Sequence, residues 1–97
     1  MPQHQLSFEF DSDKAASNLK KHGISFREAM TVFDDPLAAT FADELHSDEE
    51  NRSITIGLSS RQRLLFISHL DSPDSIRIIG ARLATATERE NHEEATQ

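Results

Sequence analysis

The sequence predicts an α+β domain, an antiparallel sheet of about four strands packed against two N-terminal helices, with a further helix at the C-terminus. Three observations carry this prediction. Between Arg52 and Arg82 lie three apolar segments in a row, joined by short turn-type connections at residues 60–62 and 71–74, the pattern of an antiparallel meander. Ahead of the meander stand two segments with apolar residues at helical spacing, each opened by a capping residue. Behind it the chain is rich in helix formers and poor in apolar anchors.

Taken in order, residues 1–6 are expected to form a mobile tail, and Phe8-Glu9-Phe10 reads as a short edge strand. Asp11 is a good N-cap, Asp13 adds favourable charge to the first turn, and Ala15, Ala16, Leu19 and His22 recur at helical spacing until Gly23. A first helix is therefore predicted over residues 12–22. Ser25-Phe26-Arg27-Glu28 fits a capping box, and Phe26, Ala29, Met30 and Phe33 then share one face, which predicts a second helix ending near Asp34. Leu19, Phe26, Met30 and Phe33 are the expected cover of one sheet face.

Asp35-Pro36 marks a turn, because the residue before proline is driven out of the helical region. Residues 37–42 read as a strand with Ala39 and Phe41 on one side, and residues 44–51 as a polar, acidic loop. In the first meander strand Ile54, Ile56 and Leu58 alternate with Ser53, Thr55, Gly57 and Ser59, as in a half-buried strand. The second does not alternate. Leu64, Phe66 and Leu70 fall on one face and Leu65 and Ile67 on the other, so it is expected at the centre, covered on both sides. The third sets Ile76 and Ile78 against Arg77 and Ile79. Beyond Arg82 only Leu83 is a large apolar anchor, so the terminal helix is expected to begin there, dock weakly and fray over residues 90–97. The second sheet face is then partly open to a partner.

At 97 residues the chain is expected to form one domain, and its 36% hydrophobic residues are clustered in periodic segments, which argues against disorder. No apolar run is long enough to span a bilayer and no signal peptide is evident, so a cytoplasmic protein is expected. The absence of cysteine removes disulfides and thiolate chemistry. A formal net charge of −7 counts against a nucleic-acid partner, but the acidic residues concentrate in residues 43–50 and 88–94. Arg52, Arg61, Arg63, Arg77 and Arg82 all belong to the meander, and they allow a local positive surface.

Three scattered glycines exclude a phosphate-binding glycine loop, and His4, His22, His46, His69 and His92 include no i, i+4 helical pair, so neither cofactor nor metal is expected. His46 with Glu49, Glu50 and Arg52 forms the densest titratable group, suited to a general acid or base and equally to a solvated acidic loop. Lys20, Lys21 and His22 close the first helix, where they suit phosphate and also complement the helix dipole. Arg77 and Arg82 sit in an isoleucine-rich strand and call for carboxylate partners or a functional anion. His69, at a strand end, reads as structural. Ser59 and Ser60 lack the context of a nucleophile elbow.

Together the residues Phe8-Glu-Phe-Asp11, Lys14, Ala16, Asn18-Leu19, Lys21-His22-Gly23, Ser25-Phe26, Glu28-Ala29 and Val32-Phe-Asp-Asp-Pro36 resemble the BrnT family of toxins from type II toxin-antitoxin systems. The similarity continues through His46-Ser47, Glu50, Arg52, Ile56-Gly57, Ile76-Arg-Ile-Ile79, Ala81-Arg82, Ala84 and Glu88-Arg89, so it spans nearly the whole chain from Phe8 to Arg89. This resemblance implies a RelE-like fold and RNA cleavage that stops translation. It also implies neutralisation by a BrnA-like antitoxin with a ribbon-helix-helix domain, in a toxin-antitoxin heterotetramer that meets DNA only through the antitoxin. The matched positions supply the site candidates. Metal-free RNA cleavage needs a base for the 2'-hydroxyl, cations for the phosphate and an acid for the departing 5'-oxygen. Arg77 and Arg82 suit the cation role with Arg52, His46 or Glu50 the base, and Lys21, His22 and His92 contact with RNA. His92 stands where the family commonly carries a tyrosine, and Gly80 where it usually shows serine.

Two function classes follow, an endoribonuclease toxin and a catalytically silent homologue that only binds antitoxin within a repressor complex. Arg52, Arg77 and Arg82 converging on one open cleft would favour the first, and each arginine buried in its own ion pair the second. The antitoxin is expected against the open sheet face and the terminal helix.

Overall fold

In the computed structural model, which describes residues 7–46 and 51–97, the elements run β1 (Ser7–Glu9), α1 (Ser12–His22), α2 (Phe26–Thr31), β2 (Ala39–Ala42), β3 (Arg52–Leu58), β4 (Leu64–Asp71), β5 (Ser75–Leu83) and α3 (Ala86–Ala95). Single 3₁₀ turns at Val32–Asp34 and Glu44–His46 follow α2 and β2. The tail expected over residues 1–6 lies outside the described residues. The predicted meander is present as β3-β4-β5, with β4 central in the order β1-β5-β4-β3-β2. The sheet, predicted at about four strands, has five among the described residues, with the expected edge strand present as β1 and added to β5 in parallel. Parallel pairing between chain ends leaves no local turn signal, so the sequence does not announce it.

Local chemistry accounts for the element ends. Asp11 caps α1 by accepting from the Lys14 N–H at 2.9 Å, and Gly23 ends it in the left-handed region at φ 71°. Ser25 caps α2 through the Glu28 N–H at 3.0 Å. Asp35 delays β2 to Ala39, since its carboxylate accepts from the N–H groups of Leu37 (3.0 Å) and Leu58 (2.8 Å), which folds residues 35–38 into a turn against β3. That approach is close. A Cβ on Gly57 would lie 2.8 Å from the Ala38 Cβ and 2.9 Å from the Val32 Cγ1, so only glycine fits.

The main core joins Ile24, Phe26, Ala29 and Val32 to Leu65, Ile67, Ile76, Ile78 and Ala81. A partly buried ion pair fastens the same layer, as the buried Glu28 accepts from the Arg63 guanidinium and from Ser59 Oγ at 2.7 Å, tying α2 to the β3–β4 connection. The Arg63 hydrogen bond holds the Glu28 carboxyl below its ordinary value against the opposing effect of burial. His69 is structural, as expected. It is buried between Thr55 Oγ1 (2.8 Å) and Asp71 Oδ1 (2.7 Å), with its ring edge-on to Phe33.

Leu19 does not join this core and is 51% exposed. Instead α1 turns Asn18 inward. The Asn18 amide donates to the carbonyls of Ile24 (2.9 Å) and Ala81 (2.8 Å), and its oxygen accepts from the Ala81 N–H at 3.1 Å. β1 pairs with β5 only as far as Arg77, and Asn18 takes over the exposed strand edge beyond it. An apolar side chain on this helix face would leave those backbone groups unpaired.

α3 begins at Ala86, later than expected, because Thr85 and Glu88 form a capping box that starts the helix only there. None of its residues is buried. It is held to the sheet chiefly by Glu88, whose carboxylate accepts from Arg82 Nη1 at 2.9 Å and Nη2 at 3.0 Å.

Two predictions follow from these contacts. Asn18→Ala leaves three buried backbone groups without partners, and is expected to lower stability by about 2–4 kcal/mol, read as a shift of the urea midpoint. The Arg82 hydrogen bond holds the Glu88 carboxyl below its ordinary value of 4.5 against burial, so its contribution is complete above that value and is lost as pH falls through the lowered one. Glu88→Gln should therefore speed amide exchange in α3 by roughly 3- to 10-fold at pH 7, with the native protein approaching the variant under acid conditions.

Candidate functional site

The arginines of β5 face away from the core because of a β-bulge. Ser68 pairs with Gly80 but His69 with Ile78, so Ile79 is an extra residue. The bulge keeps Ile76, Ile78 and Ala81 buried on one face and turns Arg77 and Arg82 to the other. Asn18 then fixes the C-terminal end of α1 beside this bulge. The result is a polar cleft of two contiguous hollows, about 180 and 330 Å³, that share Asn18, His22 and Gly80. Phe66, Ser68 and Arg82 line one hollow and Lys14, Ser17 and Lys21 the other. A Cβ on Gly80 would meet nothing within 4 Å, so the position expected to carry serine is open cleft.

Arg82 is the most constrained cation of the cleft. Its guanidinium carbon stands 3.9 Å from the centroid of the Phe66 ring, and Glu88 grips its edge in a bidentate pair. The Glu88 hydrogen bond outweighs burial and raises the Arg82 pKa, so its charge is permanent. A planar guanidinium can donate to two oxygens of a phosphate at once.

A second polar group lies across the sheet. Asp43 Oδ2 accepts from His46 Nδ1 at 2.9 Å and from Arg52 Nε at 3.1 Å. Burial opposes the charged form of Asp43, but the bonds and charges of His46 and Arg52 prevail and hold its carboxyl below the ordinary value. The carboxylate fixes one ring nitrogen of His46 and leaves Nε2 for other work. Glu50, expected beside His46, lies outside the described residues.

Strand register separates the two groups. Arg52 pairs with Leu70 and Leu70 with Arg77, whereas Arg82 pairs with Phe66, four residues along β4 or about 13 Å away. Arg77 is 3.5 Å from Glu9 Oε1 at the β1 side. The structure thus brings together Lys21, His22 and Arg82 in one cleft and His46 with Arg52 in another group. Arg77 is set apart, and His92 lies on α3 beside an apolar groove. Arg52, Arg77 and Arg82 share a sheet face without converging, and each has a carboxylate partner. Asn18, Ser68 and Lys14 were not read as site residues. Lys14 and Asn18 entered only as positions that carry the family resemblance. Among the described residues no group of three or more His, Asp or Glu side chains is arranged to hold a metal ion.

Comparisons with known proteins agree with this architecture. None of the curated proteins matches the chain. Among solved structures, the ribonuclease toxin BrnT of Brucella abortus superposes with a TM-score of 0.66 at 18% identity, covering 84% of this chain and 99% of that one, which shows the same fold. Residues 10–88 match the family model described as the ribonuclease toxin, BrnT, of type II toxin-antitoxin systems. The helices, the mostly antiparallel sheet and the match along most of the sequence lead to one assignment: the chain belongs to the BrnT family of ribonuclease toxins.

Proposed function

We propose that this chain is an endoribonuclease toxin that cleaves RNA without a metal in the cleft between α1 and β5. The observation that supports this reading is that His22 lines both contiguous hollows of the cleft, with Arg82 in one and Lys21 in the other. His22 takes the proton of a 2'-hydroxyl, whose oxygen attacks the adjacent phosphorus. Arg82 holds the non-bridging oxygens as their charge grows. The bond to the 5'-oxygen breaks, and the Lys21 ammonium gives that oxygen a proton, leaving a cyclic phosphate and a 5'-hydroxyl.

The roughly 13 Å along β4 keeps His46 and Arg52 off that phosphate, so together with Arg77 they serve a neighbouring nucleotide. His92 is assigned no role at the phosphate. The cognate partner is a BrnA-like antitoxin with a ribbon-helix-helix domain. It joins the toxin in a heterotetramer and carries the contact with DNA. Cleavage takes place in the cytoplasm and arrests translation. Among the described residues no helix is long and apolar enough to cross a membrane.

The pairing of each arginine with a carboxylate favours a second reading, a silent homologue that acts only as the antitoxin-binding subunit of a repressor complex. The test is cleavage of single-stranded RNA by purified protein in EDTA, beside growth arrest on expression without antitoxin. The ribonuclease reading expects both. It expects His22→Ala or Arg82→Ala to lower the cleavage rate by about 10²-fold or more with folding intact. Well-folded native protein that neither cuts RNA nor arrests growth would establish the silent subunit.

A further inference from the structure

A second groove, about 440 Å³, runs between α3 and the sheet, and the cleavage chemistry leaves it unused. Ala39 and Phe41 of β2, Ile56, Phe66 and the α3 residues Asn91 and Ala95 line it, a surface dominated by carbon. Its apolar character continues outside, where Phe41, Leu37 and Leu58 are 46%, 56% and 41% exposed. β2 is one of the sheet's two edge strands, and all four of its residues are exposed. An apolar strip beside an open strand edge is the surface a partner segment covers.

Charge identifies the occupant. α3 carries Glu88, Glu90, Glu93 and Glu94 against the single Arg89, and Asp35 stands at the far end of the strip. RNA phosphates are repelled there, and a second copy of a chain with net charge −7 would bring its own acidic helix. We propose that this groove is the docking site for a basic, apolar-faced segment of the antitoxin, seated between α3 and the edge of β2. Its apolar side chains fill the groove and its lysines or arginines meet the glutamates of α3. The identity of the partner rests on the toxin reading above, while the chemistry of the groove does not.

The experiment uses the toxin co-expressed with its antitoxin and compares the native chain with Phe41→Asp, Ala95→Trp and the double charge reversal Glu90→Lys, Glu93→Lys. All change exposed positions, and circular dichroism verifies their folding. Each is expected to weaken the complex by at least about tenfold. The charge reversal should also flatten the salt dependence of the native complex. Hydrogen exchange should show β2 and α3 protected on complex formation, and the variants should still arrest growth while escaping neutralisation.

Unchanged affinity in all three folded variants, or protection confined to other elements, would overturn the proposal. So would RNA cross-linking at Phe41, or self-association that Phe41→Asp abolishes. The two readings fail separately. A native toxin that arrests growth while its folded variants keep their antitoxin affinity defeats the docking site alone. A native chain without ribonuclease activity, whose variants nonetheless lose the antitoxin, defeats the ribonuclease alone.

Discussion

The cleft depends on one buried amide. β1 leaves β5 at Arg77, and the backbone beyond would present an unpaired N–H and carbonyl to the core side of α1. Asn18 answers both groups of Ala81 and reaches back to the carbonyl of Ile24, so a single side chain fixes the helix, its following turn and the bulged strand in one frame. Because Lys21 and His22 are the next turn of the same helix, the position of the cationic end of α1 over Gly80 and Arg82 follows from that frame. An apolar contact would bind the two elements as firmly, but its broad energy minimum does not fix their rotation as directed hydrogen bonds do.

The same frame explains how an acidic chain carries a cationic cleft. The sheet's ionic contacts fall into two kinds. Glu28 with Arg63 and Asp43 with His46 and Arg52 are built around carboxylates that are themselves buried; the first joins elements distant in sequence and the second closes the connection from β2 to β3. Removing one partner strands a buried carboxylate, so each group holds its local structure together. Arg77 with Glu9 and Arg82 with Glu88 are wetter, and they sit at the edges of the open face.

Much of the fold was legible because its signals are local. Asp11, Gly23 and Ser25 mark the helix ends within one turn of chain, although the Glu28 of the expected capping box turns to Ser59 and Arg63, and the apolar periodicity of residues 53–79 shows which strand is central. What stayed hidden is non-local. The parallel pairing of β1, the extra residue Ile79 and the burial of Asn18 in preference to Leu19 depend on elements far apart in sequence. The site was legible as a set of residue types and not as a place. Lys21, His22 and Arg82 share a cleft of two hollows only because the bulge and the Asn18 frame set α1 beside β5, and Asp43, the carboxylate that organises His46 and Arg52, was hidden within an acidic run.

Paired arginines are compatible with a working cleft, and the solvent exposure of each pair decides the matter. Exchanging a carboxylate for a phosphate on a guanidinium replaces one bidentate anion with another, so the net change is set by how much desolvation the outgoing partner had already undergone. Arg77 and Glu9 are both about half exposed, at 46% and 54%, and a partly solvated pair of this kind contributes little, so it is readily given up. Arg82 is less free, since releasing it costs α3 its principal tie to the sheet as well as the ion pair. Phe66 walls both the polar cleft and the apolar groove, and the Arg82–Glu88 pair stands at their border. Any ligand that binds one side with different affinity in the paired and unpaired states shifts occupancy on the other by the same factor, because such coupling is reciprocal.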